Sequence, residues 1–213
     1  MKKAELYAKV MDYLESNLPP TDTELEYKTP FQLLVAVVLS AQCTDKRVNV
    51  VTKDLFAAYP DAREMSRATE DEIFSYVKSV SYPNSKAKYL KGLSQQLTEL
   101  YDGEVPATME QLVKLPGVGR KTANVVLATV FKQSALAVDT HVFRVSHRLG
   151  LVPARCTTPL VVEEELKKHI DDRKVAQAHF WLLFFGRYTC TARKPQCGSC
   201  GLHSVCRFKG KTE

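Results

Sequence analysis

The stretch Leu115-Pro116-Gly117-Val118-Gly119-Arg120-Lys121-Thr122-Ala123 constrains the path of this chain more tightly than any other. Before it, Thr108-Met109-Glu110-Gln111 reads as a capping box opening a short helix, with Met109, Leu112 and Val113 turned inward. After it, Ala123 to Phe131 is apolar on nearly every face, the pattern of a buried helix. Two helices joined by Pro-Gly-x-Gly make a tight hairpin, because glycines permit positive φ and let the backbone come close to something outside the protein. The unpaired amides and positive dipole end of the second helix suit an anion such as a phosphate. Arg120 and Lys121 sit in that same first turn, where the dipole disfavours cations. A local rule broken without local compensation points to function, although a lone Gly-x-Gly-x-Lys is equally compatible with a surface helix start that tolerates two charges.

The rest of the chain is helical in pattern. Tyr7, Val10, Met11 and Leu14 fall at helical spacing, and Pro19-Pro20 ends that helix. Thr29-Pro30-Phe31-Gln32 combines an N-cap, a proline at the first helical position and a capping glutamine, and the helix it opens is apolar on every face through Leu39. Val48, Val51 and Leu55 mark another helix. Thr69 to Glu72 caps one carrying Ile73, Phe74 and Val77, and Leu90, Leu93, Leu97 and Leu100 form a stripe. Ser81-Tyr82-Pro83-Asn84-Ser85-Lys86 reads as a loop, and Asp102-Gly103 as a turn. Asp139 is an N-cap candidate for a helix with Val142, Val145 and Leu149 inward, closed by Gly150; Thr158-Pro159 opens another, and Val175 to Phe185 is strongly apolar and ends at Gly186. No alternating run longer than a few residues occurs, so the expected fold class is all-α.

A chain of 213 residues accommodates one large domain or two modest ones. With 30 Lys+Arg against 24 Asp+Glu the net charge is +6, which favours polyanions through counterion release without identifying one. No segment reads as a signal peptide, and the longest apolar run, Leu33 to Leu39, is too short to cross a bilayer, so a cytoplasmic protein without a membrane partner is expected.

Four of the six cysteines, Cys190, Cys197, Cys200 and Cys206, fall within seventeen residues in the spacing Cys-x6-Cys-x2-Cys-x5-Cys. Disulfides are disfavoured in a cytoplasmic chain, and structural thiols do not cluster on a polar, Gly-containing segment. A metal centre remains, and spacing alone leaves both zinc and a [4Fe-4S] cluster open. Arg193 and Lys194 lie in the first cysteine loop, either as solvated charge or as phosphate contacts.

Leu-Pro-Gly-Val-Gly-Arg-Lys-Thr-Ala, Ser40-Ala41-Gln42-Cys43-Thr44-Asp45, Val138-Asp139-Thr140-His141-Val142 and the cysteine spacing behind Gly186-Arg187-Tyr188-Thr189 together resemble the endonuclease III family of DNA glycosylases and abasic-site lyases. The resemblance runs from Thr29 to Cys206. It implies a helical domain over residues 24–134, with a helix-hairpin-helix at about 108–131, and a second over 1–23 plus 135–213 with a [4Fe-4S] loop at 190–206, DNA lying in the cleft between them. It further implies Lys121 and Asp139 as catalytic residues, the four cysteines as cluster ligands, and a monomer acting on duplex DNA with oxidised pyrimidines or abasic sites. Lys121, at a helix start and partly desolvated, is expected to have a lowered pKa and so to offer a neutral amine. Gln42 enters the space left by an extruded nucleotide, and Gly117, Val118, Gly119, Arg120, His141, Arg193 and Lys194 meet the DNA. Cys43 reads as a small buried residue.

One stretch departs from the family pattern. Where the family commonly has Gly-Leu-Tyr-Asn, with the leucine wedged into the duplex, this chain has Ser81-Tyr82-Pro83-Asn84. Tyr82 is the expected wedge, held in extended backbone by Pro83. Three other readings fit less well. A related adenine glycosylase lacks this lysine, a non-catalytic hairpin module needs neither Lys121 nor Asp139, and a ferredoxin-like carrier needs no basic hairpin.

Overall fold

The computed structural model describes residues 1–18 and 23–212, and every regular element among them is helical. The chain divides into two compact units, Glu24–Phe131 and Met1–Thr23 with Lys132–Glu213. The break precedes the boundary at residue 134 expected above, because Ser134 already donates to Asp172 Oδ1 (3.0 Å) in the second unit. Helix α1 (Lys3–Asn17) belongs to that second unit and closes with the Leu18 N–H on Leu14 O; the expected Pro19-Pro20 stop lies outside the described residues.

The unit Glu24–Phe131 is built on α2 (Pro30–Ser40), in which every residue from Phe31 to Leu39 is buried. Thr29 Oγ1 accepts from Gln32 N (3.2 Å), and Gln32 Oε1 accepts from Lys28 N (2.9 Å), so the start of this apolar rod is pinned at both ends of the turn. Burying each of its Leu or Val side chains contributes roughly 1.5–3 kcal/mol. Helices α3 (Asp45–Ala58), α4 (Ala62–Arg67), α5 (Glu70–Val77), α6 (Pro83–Leu100), α7 (Met109–Leu112) and α8 (Arg120–Thr129) follow, and α3, α6 and α8 pack on α2. Thr69 and Glu72 form the full reciprocal capping box at the start of α5. The Leu90, Leu93, Leu97 stripe is core, but Leu100 at the end of α6 is 66% exposed. The residues read as a loop before Lys86 are helical from Pro83 onward, Tyr82 being the N-cap.

In the second unit α1 packs with α9 (Thr140–Leu149), α10 (Pro159–Lys167) and α11 (Asp172–Phe184) around Leu6, Val10, Leu14, Val145, Leu149 and Trp181. Gly150, with φ 78°, ends α9 as expected. Gly186 does not end α11. It lies inside a π-helical turn, Phe185–Thr189, where an added Cβ would stand 2.9 Å from Val145 Cγ2 and 3.0 Å from His141 Cβ. The glycine is there for close approach to α9, a tertiary demand that a C-cap reading of the sequence misses. Among the described residues no helix is long and apolar enough to cross a membrane.

Candidate functional site

The hairpin forms between α7 and α8. Its capping box is only half made: Thr108 Oγ1 accepts from Gln111 N (3.3 Å), but the Gln111 carbonyl takes the Thr108 hydroxyl (2.8 Å) rather than the N-cap amide. Leu112, Leu115 and Val118 point inward, while Val113 is 41% exposed, because the helix lasts a single turn and the inward face passes to the turn residues. Of the two hairpin glycines only Gly117 takes positive φ (76°), and a Cβ there would also lie 2.8 Å from Tyr89 Cβ. Gly119 is the extended N-cap of α8, makes no side-chain cap, and its missing Cβ faces open space. Glycine at 119 therefore leaves bare backbone at a helix start, where an anion can approach the amides. The buried Val118 side chain leaves that residue only its backbone to offer a ligand. Arg120 and Lys121 are the first two residues of α8, and Lys121 is exposed rather than partly desolvated as expected, because the hairpin presents its first turn outward.

In the same unit Gln42 and Tyr82 are brought together. The Ser81 hydroxyl donates to Gln42 O (2.7 Å), and both Gln42 and Tyr82 have φ of 55° and exposed side chains, Tyr82 at 63%. This overturns the extended backbone expected for Tyr82: proline excludes right-handed helix at the preceding residue, and tertiary ties select the left-handed well over β. Cys43 is half-buried rather than buried.

In the second unit the half-buried Asp139 caps α9, its Oδ1 accepting from His141 N and Val142 N, both at 2.8 Å. Oδ2 accepts no hydrogen bond among the described residues, so one oxygen fixes the carboxylate and the other is available. His141 Nδ1 lies 3.3 Å from Arg144 Nη2.

Two arginines that the sequence reading passed over fasten the cysteine loop to α9. Arg144 donates to Gly186 O (2.7 Å) and Cys190 O (3.1 Å). Arg148 donates to Thr191 O (2.7 Å), Ala192 O (2.9 Å) and Cys190 Sγ (3.5 Å), its guanidinium 4.3 Å above the Phe208 ring. Their one available signal was the spacing of one helical turn on α9. Cys190, Cys197, Cys200 and Cys206 line one cavity with Leu149, Phe185 and Phe208. No three His, Cys, Asp or Glu side chains among the described residues converge as ligands of one ion. A ring of four thiols around an apolar-walled space suits a polynuclear iron–sulfur cluster, with backbone and arginine N–H groups around the sulfurs. Burial, reinforced by the charges of the neighbouring cysteines, pushes the Cys200 and Cys206 thiols up. Metal binding must therefore displace protons, and holds tighter as pH rises. Arg193 and Lys194 stand exposed on this loop, the Lys194 carbonyl accepting from Thr191 Oγ1 (2.6 Å).

Residues 35–172 match the family model of the HhH-GPD superfamily of base excision DNA repair proteins, and residues 190–206 match the iron-sulfur binding domain of endonuclease III. Endonuclease III of Rickettsia felis is 46% identical over 206 residues, covering 97% of this chain and 96% of the relative. The solved structure of a non-covalent endonuclease III–DNA complex superposes with a TM-score of 0.91 at 43% identity, covering 97% of this chain and 96% of that one. That of a trapped endonuclease III–DNA covalent intermediate gives a TM-score of 0.91 at 42% identity, with 97% of both chains covered. With a full-length match at this identity, on a helical fold holding the hairpin and the cysteine-lined cavity, the chain belongs to the endonuclease III family of base excision DNA repair proteins.

Proposed function

We propose that this base excision repair glycosylase and abasic-site lyase works through Lys121 as nucleophile and Asp139 as its partner, on duplex DNA carrying oxidised pyrimidines or abasic sites. The observation that carries the assignment is the exposed Lys121 in the first turn of α8, directly behind the open backbone of Gly119. The amide-rich turn with Arg120 binds backbone phosphate, and Lys121 attacks C1′. The C1′–N bond breaks and the base leaves with its electron pair, taking a proton that the attacking amine gives up; the sugar ring then opens at the C1′–O4′ bond, O4′ picking up a proton from solvent, as the nitrogen lone pair closes a protonated imine at C1′. The imine acidifies the C2′ proton, whose removal expels the 3′ phosphate by β-elimination. Asp139 offers its free oxygen to the positive charge developing on the sugar. The base must first leave the stack, because C1′ is otherwise unreachable. His141, Arg193 and Lys194 add phosphate contacts, and the protein acts as a cytoplasmic monomer, its charge of +6 drawing it to DNA. Borohydride reduction during turnover, followed by peptide mapping, tests the assignment: the DNA-bearing peptide must contain Lys121.

The enzyme carries a [4Fe-4S] cluster, and its four ligands in this reading are Cys190, Cys197, Cys200 and Cys206. Anaerobically purified protein is expected to be yellow-brown, with about four irons per chain at full loading. Cys200→Ser is expected to release iron and to open segment 190–206 to protease, since little regular structure holds that segment otherwise. Stoichiometric zinc without iron would remove the cluster.

Tyr82 is the proposed wedge. An inserted tyrosine stacks on the orphaned base opposite the extruded nucleotide, worth roughly 1–3 kcal/mol. Tyr82→Ala is therefore expected to weaken binding to an abasic site in duplex DNA by about 5- to 150-fold and to change single-stranded binding little. Equal losses on the two substrates, measured by fluorescence anisotropy, would take Tyr82 out of the site.

A further inference from the structure

Lys86 is a buried cation with no part in the chemistry above. It is 4% exposed and makes no ion pair with a carboxylate among the described residues. Cations are seldom buried without a charged partner, because desolvation costs several kcal/mol. Its ammonium donates to Leu39 O (2.8 Å) and Ala41 O (2.7 Å), at the end of α2, where carbonyls lack helical donors and the dipole is negative. Burial accordingly holds the Lys86 pKa below its ordinary value. A plain C-cap would serve those carbonyls from the surface, so the burial of this one needs a further reason.

The reason lies one residue beyond Ala41 and one turn before Lys86. Gln42 and Tyr82 are both non-glycine residues in the left-handed region, each a conformation that persists only where its surroundings enforce it. Lys86 grips the carbonyl preceding Gln42, while its own amide donates to Tyr82 O (3.1 Å) in the first turn of α6. Ser81, the neighbour of Tyr82, donates to Gln42 O (2.7 Å). The two strained residues are thus joined through a closed loop of hydrogen bonds in which Lys86 is the only buried cation.

We infer that Lys86 is a positioning residue that locks the Gln42 and Tyr82 turns into one preset unit, so that both side chains enter the duplex without first being ordered. This rests on the reading of Gln42 and Tyr82 as the inserting residues. Preorganisation of this kind raises affinity by removing an ordering cost at the moment of binding. It differs from a merely structural role in one measurable way: its effect on DNA affinity must vanish when the side chains it positions are gone.

The test is a double-mutant cycle on the cluster-loaded protein, read as affinity for a duplex carrying a tetrahydrofuran abasic analogue, which cannot be cleaved. Lys86→Met is expected to weaken binding roughly tenfold in the wild-type background, and less than about twofold when Gln42→Ala and Tyr82→Ala are already present, a coupling typical of residues in one network. Ser81→Ala, which leaves the buried ammonium in place, is expected to show the same loss of effect with a smaller amplitude, and serves if Lys86→Met does not fold. Full, independent losses in the two backgrounds would make Lys86 a structural cap and overturn the inference. If Gln42→Ala and Tyr82→Ala together leave duplex affinity unchanged, the reading of those two residues fails and the inference falls with it.

Discussion

Lys121→Ala is expected to abolish the borohydride-trapped adduct with an abasic duplex and to lower turnover by roughly three orders of magnitude or more, as loss of a nucleophile does elsewhere. The variant should fold normally. Lys121 is exposed on the first turn of α8, alanine is a good helix former, and removing a cation from a helix N-terminus relieves a small unfavourable dipole interaction of about 0.3–1 kcal/mol. Binding to the uncleaved duplex should fall far less than turnover, since Gly117, Gly119 and Arg120 still present the hairpin backbone. Adduct formation at an undiminished rate in this variant would place the nucleophile on another residue.

What the sequence disclosed and what it withheld divide along a physical line. Elements whose cause is local were legible. Thr29 and Pro30 opening α2, the Thr69/Glu72 box, the Asp139 cap and Gly150 at φ 78° each depend on residues within one helical turn. The hairpin was readable for the same reason, with a difference in detail: two glycines serve two purposes, Gly117 for its backbone angle and contact with Tyr89, Gly119 for open space. The six-residue length of α4 hid it, because a period cannot be read from Ala62 and Met65 alone.

Elements whose cause is tertiary were not legible. Tyr82 before proline reads as extended on local grounds, and the ties of Ser81 and Lys86 to the end of α2 decide otherwise. Gly186 reads as a helix stop, yet its role is to let a π-helical turn approach Val145 and His141. Lys86 looks like a loop charge, and Arg144 and Arg148 like solvated helix charges, until the carbonyls they serve are placed beside them. The four cysteines announce a metal, but the choice between one ion and a cluster depends on whether the thiols meet at a point or ring a space.

Asp139→Asn separates two roles that the carboxylate holds at once. As an N-cap, asparagine equals aspartate: its side-chain oxygen can still accept from His141 N and Val142 N, now 2.8 Å from Oδ1. Thermal stability should therefore stay within about 0.5 kcal/mol of the parent, whereas Asp139→Ala, which removes the cap, should cost about 1 kcal/mol. Chemistry makes the opposite demand. The oxygen not engaged by the cap becomes an uncharged amide nitrogen, which neither stabilises positive charge on the sugar nor accepts a proton. Turnover on an oxidised-pyrimidine duplex should fall by roughly 10²- to 10³-fold in Asp139→Asn, the range for loss of one electrostatic stabiliser in a catalytic site. Affinity for the same duplex should be kept or raised, since a negative charge has left the neighbourhood of phosphates. Single-turnover glycosylase rates beside thermal melts read both roles in one preparation. A stable Asp139→Asn protein with parental rates would leave Asp139 as a cap and nothing more; a destabilised one would show that His141 and Val142 need the charge, not merely the oxygen.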